Sequence, residues 1–258
     1  MKEIDGGSAV DWGKASKDYA KYRDLYPAEF YERIAKKGLC VAGQSVLDLG
    51  TGTGVLPRNM YGFGARFTAI DASEGQIAEA VGLSRGKDIR YLVCTAEEMS
   101  FPPESFDVVT ACQCFIYFDK GVVLPKIHKA LRPDGHLLIT WVSWLPYEDE
   151  IAGETERIVL RHNPAWSAGG YRRSDIDAHG MDGVPLFSVA DFVSYDVGIP
   201  FTRESWNGRI RACRGIGASV LSEAEIAEFE KEHMEMLAGY PESFEILHHV
   251  TMFDLVKR

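Results

Sequence analysis

The sequence predicts an α/β protein built on a mostly parallel sheet. Three observations carry that prediction. Apolar runs of strand length alternate with helix-length segments along most of the chain. One run, Ser45-Val46-Leu47-Asp48-Leu49, leads straight into Gly50-Thr51-Gly52-Thr53-Gly54, and a second, Phe67-Thr68-Ala69-Ile70, ends on Asp71. The 258 residues, 46% of them hydrophobic, are enough for one sizeable core, so residues 1–258 read as a single domain.

In chain order, Asp11 to Lys37 reads as two helices, with Pro27 suited to the first turn of the second. Val46 to Leu49 is a buried strand, and the glycines behind it let the chain turn sharply before a helix begins near Val55. Phe67 to Asp71 is the second strand, and Ser73 is placed to cap a helix reaching about Leu83. Ile89 to Cys94 and Phe106 to Ala111 are the third and fourth strands. A helix from Lys120 to Leu131, stopped by Pro133, leads to a fifth strand, His136 to Val142. There the rhythm breaks. A helix-like stretch around Glu148 to Arg161 precedes the loop-rich, aromatic segment Asn163 to Tyr171, and an insertion of this length suits a lid or binding loop. A strand around Asp191 to Val197, helices near Thr202 to Arg214 and Ser222 to Ala238, and a last strand near Phe244 to Val256 close the chain.

The glycine turn points to a nucleoside-bearing ligand. It brings bare backbone against whatever binds there, and an acid about 20 residues after the first glycine is placed to accept ribose hydroxyls. A dinucleotide fingerprint would read G-x-G-x-x-G, but Val55 stands where its third glycine belongs. Asp48, just ahead of Gly50, suits a ligand carrying an ammonium and a sulfonium better than one carrying two phosphates, because like charges repel strongly in a partly dry site.

Asp48-Leu49-Gly50-Thr51-Gly52-Thr53-Gly54 resembles motif I of the class I S-adenosylmethionine-dependent methyltransferases. Further likenesses follow in order: Thr95-Ala96-Glu97-Glu98-Met99-Ser100-Phe101-Pro102 to the family's adenine loop, Ser105-Phe106-Asp107-Val108-Val109 to its fourth strand, and Leu131-Arg132-Pro133-Asp134-Gly135-His136-Leu137-Leu138-Ile139 to its turn into the fifth. They cover about residues 45–142, and the chain looks most like the small-molecule methyltransferases of the type 11 group, which includes quinone-biosynthesis C-methyltransferases. The resemblance implies a seven-stranded Rossmann-like sheet with the last strand antiparallel, an N-terminal helical lid over residues 1–40, and cap insertions at 143–190 and 200–240. It also implies S-adenosyl-L-methionine as cofactor, S-adenosyl-L-homocysteine as product, and a cofactor site formed by Asp48, Gly50, Thr51, Gly52, Gly54, Asp71, Ala72, Thr95, Ala96 and Glu97. Where many relatives carry Asp for the adenine amino group, this chain has Thr95. The pattern Trp12-x6-Tyr19-x2-Tyr22-Arg23-x3-Pro27 is similar to the lid of type 11 relatives, in which a tyrosine covers the cofactor; Tyr19 is placed in that role, and docking of the helix on the core explains the same residues equally well.

Composition narrows the partners. A net charge of −10 argues against a general nucleic-acid binder, which needs a basic face. No apolar stretch reaches the roughly 18 residues of a membrane span, and Met1 to Gly7 has no apolar signal core, so a cytoplasmic monomer or homodimer acting on a small molecule is expected. Five cysteines without paired spacing fit reduced thiols.

Other candidates lie at strand ends and in the insertions. Gln113 follows the fourth strand at the edge where ligands of open α/β folds bind, and can reach cofactor or acceptor; Tyr117 or Phe118 can line the acceptor pocket. Cys112 and Cys114 read better as buried small side chains than as metal ligands, having no matching Cys or His cluster, and no metal is expected. Tyr22 and Trp166 are acceptor-side candidates. The helix near residue 206 places Trp206, Ile210 and Cys213 on one stripe with Arg203, Arg211 and Arg214 on its flank; with Arg172 and Arg173 these suit an anionic acceptor, or else a solvated face paired with Glu223, Glu225 and Glu228. The seven histidines show no ligating pattern. The expected activity is methyl transfer to an O, S, N or C nucleophile of a small acceptor, with no catalytic residue assigned; a cofactor-binding module, or a methyltransferase of macromolecules, are the rivals.

Overall fold

The computed structural model describes residues 5, 10–24, 26–178 and 186–258; the rest of the 1–40 segment and residues 179–185 of the first insertion lie outside them. The amino-terminal part holds α1 (Ser16–Tyr22) and α2 (Ala28–Lys36). The alternating region runs β1 (Ser45–Leu49), α3 (Val55–Met60), β2 (Arg66–Asp71), α4 (Glu74–Leu83), β3 (Ile89–Val93), β4 (Phe106–Cys112), α5 (Lys120–Ala130) and β5 (Leu131–Trp144). Then follow α6 (Glu150–His162), α7 (Arg173–Ala178), β6 (Phe187–Thr202), α8 (Arg203–Arg211), α9 (Glu223–Leu237) and β7 (Ser243–Lys257).

Seven strands form one sheet in the order β3-β2-β1-β4-β5-β7-β6. β1 pairs in parallel with β2 and β4, and β7 runs antiparallel to both β5 and β6, so the mostly parallel sheet with an antiparallel last strand is observed. The central strands are sealed on both faces, as parallel strands covered by helices must be. Val46, Val108 and Leu138 point to one side with Phe30 and Ile34 of α2; Leu47, Val109 and Leu137 point to the other with Leu124 and Ile127 of α5. Because β1 lies between β2 and β4, the strand order reverses at β1, and a crevice opens beyond the carboxyl ends of β1 and β4.

Several boundaries differ from expectation for physical reasons. α5 ends at Ala130, and Leu131 already pairs with Phe106, so β5 runs through Pro133 and past Val142 to Trp144. An irregularity between Phe106 and Val108 absorbs the register change. β6 spans 16 residues rather than seven because its whole length is paired with β7. Pro27 caps α2 rather than standing within it, and α8 stops at Arg211. The second insertion shares its core with the sheet: Trp206, Ile210, Ile226 and Phe229 pack in the same cluster as Trp144, Ile158 and Val250.

Candidate active site

A cleft of about 210 Å³ lies over the carboxyl ends of β1, β2, β4 and β5. Its floor is the turn after β1. Gly50, Gly52 and Gly54 all have positive φ, which glycine adopts without the steric cost other residues carry. At Gly52 a Cβ would come within 3.3 Å of the Tyr19 ring, so the turn passes close beneath α1.

Asp71 closes β2 beside that turn. Its Oδ2 accepts from the backbone N–H of Gly52 at 2.8 Å and its Oδ1 from that of Ser73 at 2.9 Å. Burial pushes its carboxyl above the ordinary range, and these two N–H groups offset part of the shift. Ala72, Cys94, Thr95, Ala96 and Glu97 continue the wall from β2 and β3. The Thr95 hydroxyl donates to Glu98 Oε2 (2.8 Å) and accepts from the Glu98 N–H (3.1 Å), so it braces its own turn.

Above the floor, the N-terminal segment crosses the cleft. Gln76 of α4, 1% exposed, donates to the carbonyl of Trp12 (2.9 Å), and Trp12 stands edge-on to both Tyr19 and Tyr117 with ring centroids 6.1 Å apart. The Arg23 guanidinium lies 4.5 Å over the Tyr19 ring. The far wall is aromatic: Trp141 and Trp144 from β5, Trp166 and Tyr171 from the insertion, and Tyr117 and Phe118 after β4.

A methyltransferase domain family, type 11, matches residues 47–139, the stretch that supplies β1 to β5 and the glycine turn. Residues 47–139 therefore form a methyltransferase domain, similar to those that use S-adenosylmethionine. An uncharacterized methyltransferase of Mycobacterium tuberculosis is 29% identical over 180 residues, covering 62% of this chain and 71% of that one. The ubiquinone biosynthesis O-methyltransferase of Pseudomonas aeruginosa is 30% identical over 139 residues, covering 52% of this chain and 59% of that one. Among solved structures, a type II methyltransferase from Anaeromyxobacter dehalogenans shares the fold at a TM-score of 0.57 with 20% identity, covering 91% of this chain and 97% of that one.

The cleft wall includes Tyr19, Gly50, Gly52, Asp71, Ala72, Thr95, Ala96, Glu97, Gln113, Tyr117 and Trp166 of the residues singled out in the sequence. The lining suits the cofactor: acids Asp71 and Glu97 for a nucleoside, and the Arg23 guanidinium, stacked on Tyr19 over Gly52, where an amino-acid carboxylate can sit.

Asp48, Thr51 and Gly54 are absent from the wall. Asp48 is 1% exposed and lies beneath the floor, accepting from the Thr110 hydroxyl at 2.6 Å; burial pushes its carboxyl up to about 6, against that hydrogen bond. Thr51 is buried, its N–H donating to the Ile70 carbonyl at 2.9 Å. Gly54 serves packing, since a Cβ there would lie 2.3 Å from the Tyr91 hydroxyl. Gln113, at φ +66, spends its side-chain N–H on the Val142 carbonyl, tying β4 to β5 rather than presenting that donor to a ligand.

The acceptor-side candidates are corrected most. Trp206 is fully buried, its indole N–H donating to Thr155 Oγ1 at 2.9 Å, because its stripe faces the core. Tyr22 docks α1 on α8: its hydroxyl donates to Glu204 at 3.0 Å, and its ring occupies the space over Gly208. Arg203 Nε donates to the Tyr240 carbonyl at 3.1 Å, outside the cleft. Arg173 is neutralised by Asp196 (2.6 Å) and Glu148, and Arg172 stacks 4.1 Å over Tyr147. Cys112 and Cys114 line the cleft as thiols that donate to Tyr26 Oη (3.7 Å) and the Leu49 carbonyl (3.0 Å).

Residues missed as site residues include Arg209 and the Trp141-Val142-Ser143-Trp144 run. The last was findable by the rule that flagged Gln113, applied one strand further. Arg209 shares a helical face with Trp206 and Cys213, three and four residues away, and that spacing was the available signal.

Proposed function

We propose that the cleft binds S-adenosylmethionine with its ribose on Asp71, its adenine beside Ala96 and Glu97, and its methionine end over Gly50 and Gly52 beneath Tyr19, the carboxylate on Arg23. The activated sulfonium methyl is the chemistry the cofactor supplies. The acceptor would be a small molecule held against Trp141, Trp144, Trp166 and Tyr117. The observation that carries this reading is the Asp71 carboxylate, fixed at the cleft by N–H groups of Gly52 and Ser73. A hydroxylated sugar supplies the further partners that such a half-buried acid needs.

The chain's own work is positioning and exclusion of water. Trp12, Tyr19 and the 163–171 loop cover the cleft, and holding two reactants aligned in a dry site can lower a barrier by about 7–11 kcal/mol. Neither His nor a further acid lines it among the described residues, so no base is assigned. The aromatic wall of the cleft and the small-molecule pathway in the ubiquinone biosynthesis relative's name both support a small acceptor over a macromolecular one. Among the described residues no helix is long and apolar enough to cross a membrane, and five free thiols support a reducing cytoplasm as location.

Calorimetry and a product assay test the proposal together. S-adenosylhomocysteine should bind wild type, and about tenfold or more weakly to Asp71→Asn, which removes a charge-assisted acceptor. A panel of phenols, thiols and carboxylates should release S-adenosylhomocysteine from S-adenosylmethionine with at least one member. Binding without turnover across the panel would favour a cofactor-binding module, and unchanged affinity in Asp71→Asn would remove the ribose assignment.

A further inference from the structure

Two guanidiniums meet at one thiol in the cleft. Arg23 Nη1 lies 3.5 Å and Arg209 Nη1 2.8 Å from Cys213 Sγ, and that thiol donates in turn to the Arg209 carbonyl at 3.2 Å. Arg209 is 4% exposed, and its Nε has no partner among the described residues. Its pKa is lowered, first by burial and then by the charge of Arg23. The neighbouring arginines are different. Arg214 pairs with Asp5 at 2.7 Å, and Arg211 with Glu230 at 2.8 Å and with Asp18. Among the described residues neither Arg23 nor Arg209 forms an ion pair, and the cleft's acids, Asp71 and Glu97, are held at the nucleoside end by the N–H groups of Gly52, Ser73 and Asp119.

Burying a cation without a counterion is costly, so the fold carries Arg209 at the expense of its own stability. The cofactor brings one carboxylate together with an ammonium and a sulfonium. It can neutralise one guanidinium, and Arg23, stacked on the tyrosine over Gly52, stands nearest its methionine end. Arg209 is left over. The surrounding wall of Trp141, Trp144 and Trp166 is flat and apolar, and a single remaining positive charge matches a monoanion better than a doubly charged phosphate.

We infer that the acceptor is an aromatic or apolar carboxylic acid whose carboxylate docks on Arg209 while its body lies against the tryptophans of the cleft. The inference rests on the methyltransferase reading above and adds the acceptor's chemical class. Arg209 then acts as a specificity residue, and the acceptor's charge completes a site that the protein alone leaves unbalanced.

The test is calorimetry on the chain saturated with S-adenosylhomocysteine, using phenylacetate and its neutral isostere phenylacetamide at millimolar concentration. Phenylacetate should bind about tenfold tighter or better. Arg209→Met should abolish that preference, leave S-adenosylhomocysteine affinity within about threefold, and raise the melting temperature of the ligand-free protein, which a guanidinium kept for packing would not do. Arg209→Lys keeps the charge without the fork, and should retain a reduced preference. Equal binding of the two probes by wild type, or binding of neither, would overturn the inference. So would an Arg209→Met protein that loses S-adenosylhomocysteine affinity but not affinity for 5′-methylthioadenosine, since the guanidinium would then serve the cofactor's carboxylate. Failure of wild type to bind S-adenosylhomocysteine at all would instead mark failure of the methyltransferase reading.

Discussion

Asp71 Oδ2 accepts a hydrogen bond from the backbone N–H of Gly52 at 2.8 Å, which joins the acid ending β2 to the second glycine of the turn after β1. The two strands are parallel neighbours with Leu49 opposite Ile70, and the Thr51 N–H reaches the Ile70 carbonyl at 2.9 Å. Sheet register therefore sets the distance between the place proposed for the ribose and the place proposed for the methionine chain, before any ligand enters. That rigidity belongs to the strands rather than to the loop.

The buried Asp48 predicts a distinctive pH dependence. Burial raises its carboxyl from 3.8 in the unfolded chain to about 6 in the folded one, so the folded state holds the proton more tightly. Its contribution to stability is complete below 3.8, falls as pH rises toward 6 and is flat above, a loss of about 3 kcal/mol from a shift of roughly two pK units. Asp48→Asn cannot ionise. Urea unfolding should show the variant gaining on wild type by about that amount between pH 4 and 7, and a difference independent of pH would contradict the assignment.

Gly54 and Tyr91 should be energetically coupled. A methyl at Gly54 would meet the Tyr91 hydroxyl at 2.3 Å, at a backbone φ of +74 that costs other residues about 1–2 kcal/mol. Gly54→Ala should destabilise the fold by more than that. Tyr91→Phe should cost less in the Gly54→Ala background than in wild type, with a coupling of about 0.5–3 kcal/mol in a double-mutant cycle. Strict additivity would show that the two do not compete for space.

Trp206 should behave as a structural residue. Trp206→Phe removes the hydrogen bond from its indole N–H to Thr155 Oγ1 and leaves a small void, at a cost of about 1–3 kcal/mol. S-adenosylhomocysteine affinity should stay within about twofold. Unchanged stability with weakened ligand binding would return Trp206 to the site.

The sheet and the cofactor end of the cleft were legible because local patterns determine them. The run Val46 to Leu49, its glycines and the acid of β2 need only parallel pairing to converge, and the alternation of elements dictates that pairing. The acceptor side depends on how distant segments pack. Arg203 and Arg209 carry the same charge on one helix, and only the docking of α8 against Trp144, which places Arg209 5.1 Å over that ring, sends one to the Tyr240 carbonyl and the other into the cleft. Likewise Tyr19 and Tyr22 are one turn apart, and the position of α8 decides that Tyr19 covers Gly52 while Tyr22 fills the space over Gly208. Gln113 read as a free polar group because sequence does not reveal that the Val142 carbonyl lies within its reach.

The most direct test is a structure of the chain with S-adenosylhomocysteine bound. The account predicts ribose hydroxyls hydrogen-bonded to the Asp71 carboxylate, the adenine beside Ala96, and the sulfur facing the wall formed by Trp141, Trp144 and Trp166. A nucleoside bound away from Asp71, or a sulfur turned from that aromatic wall, would contradict it.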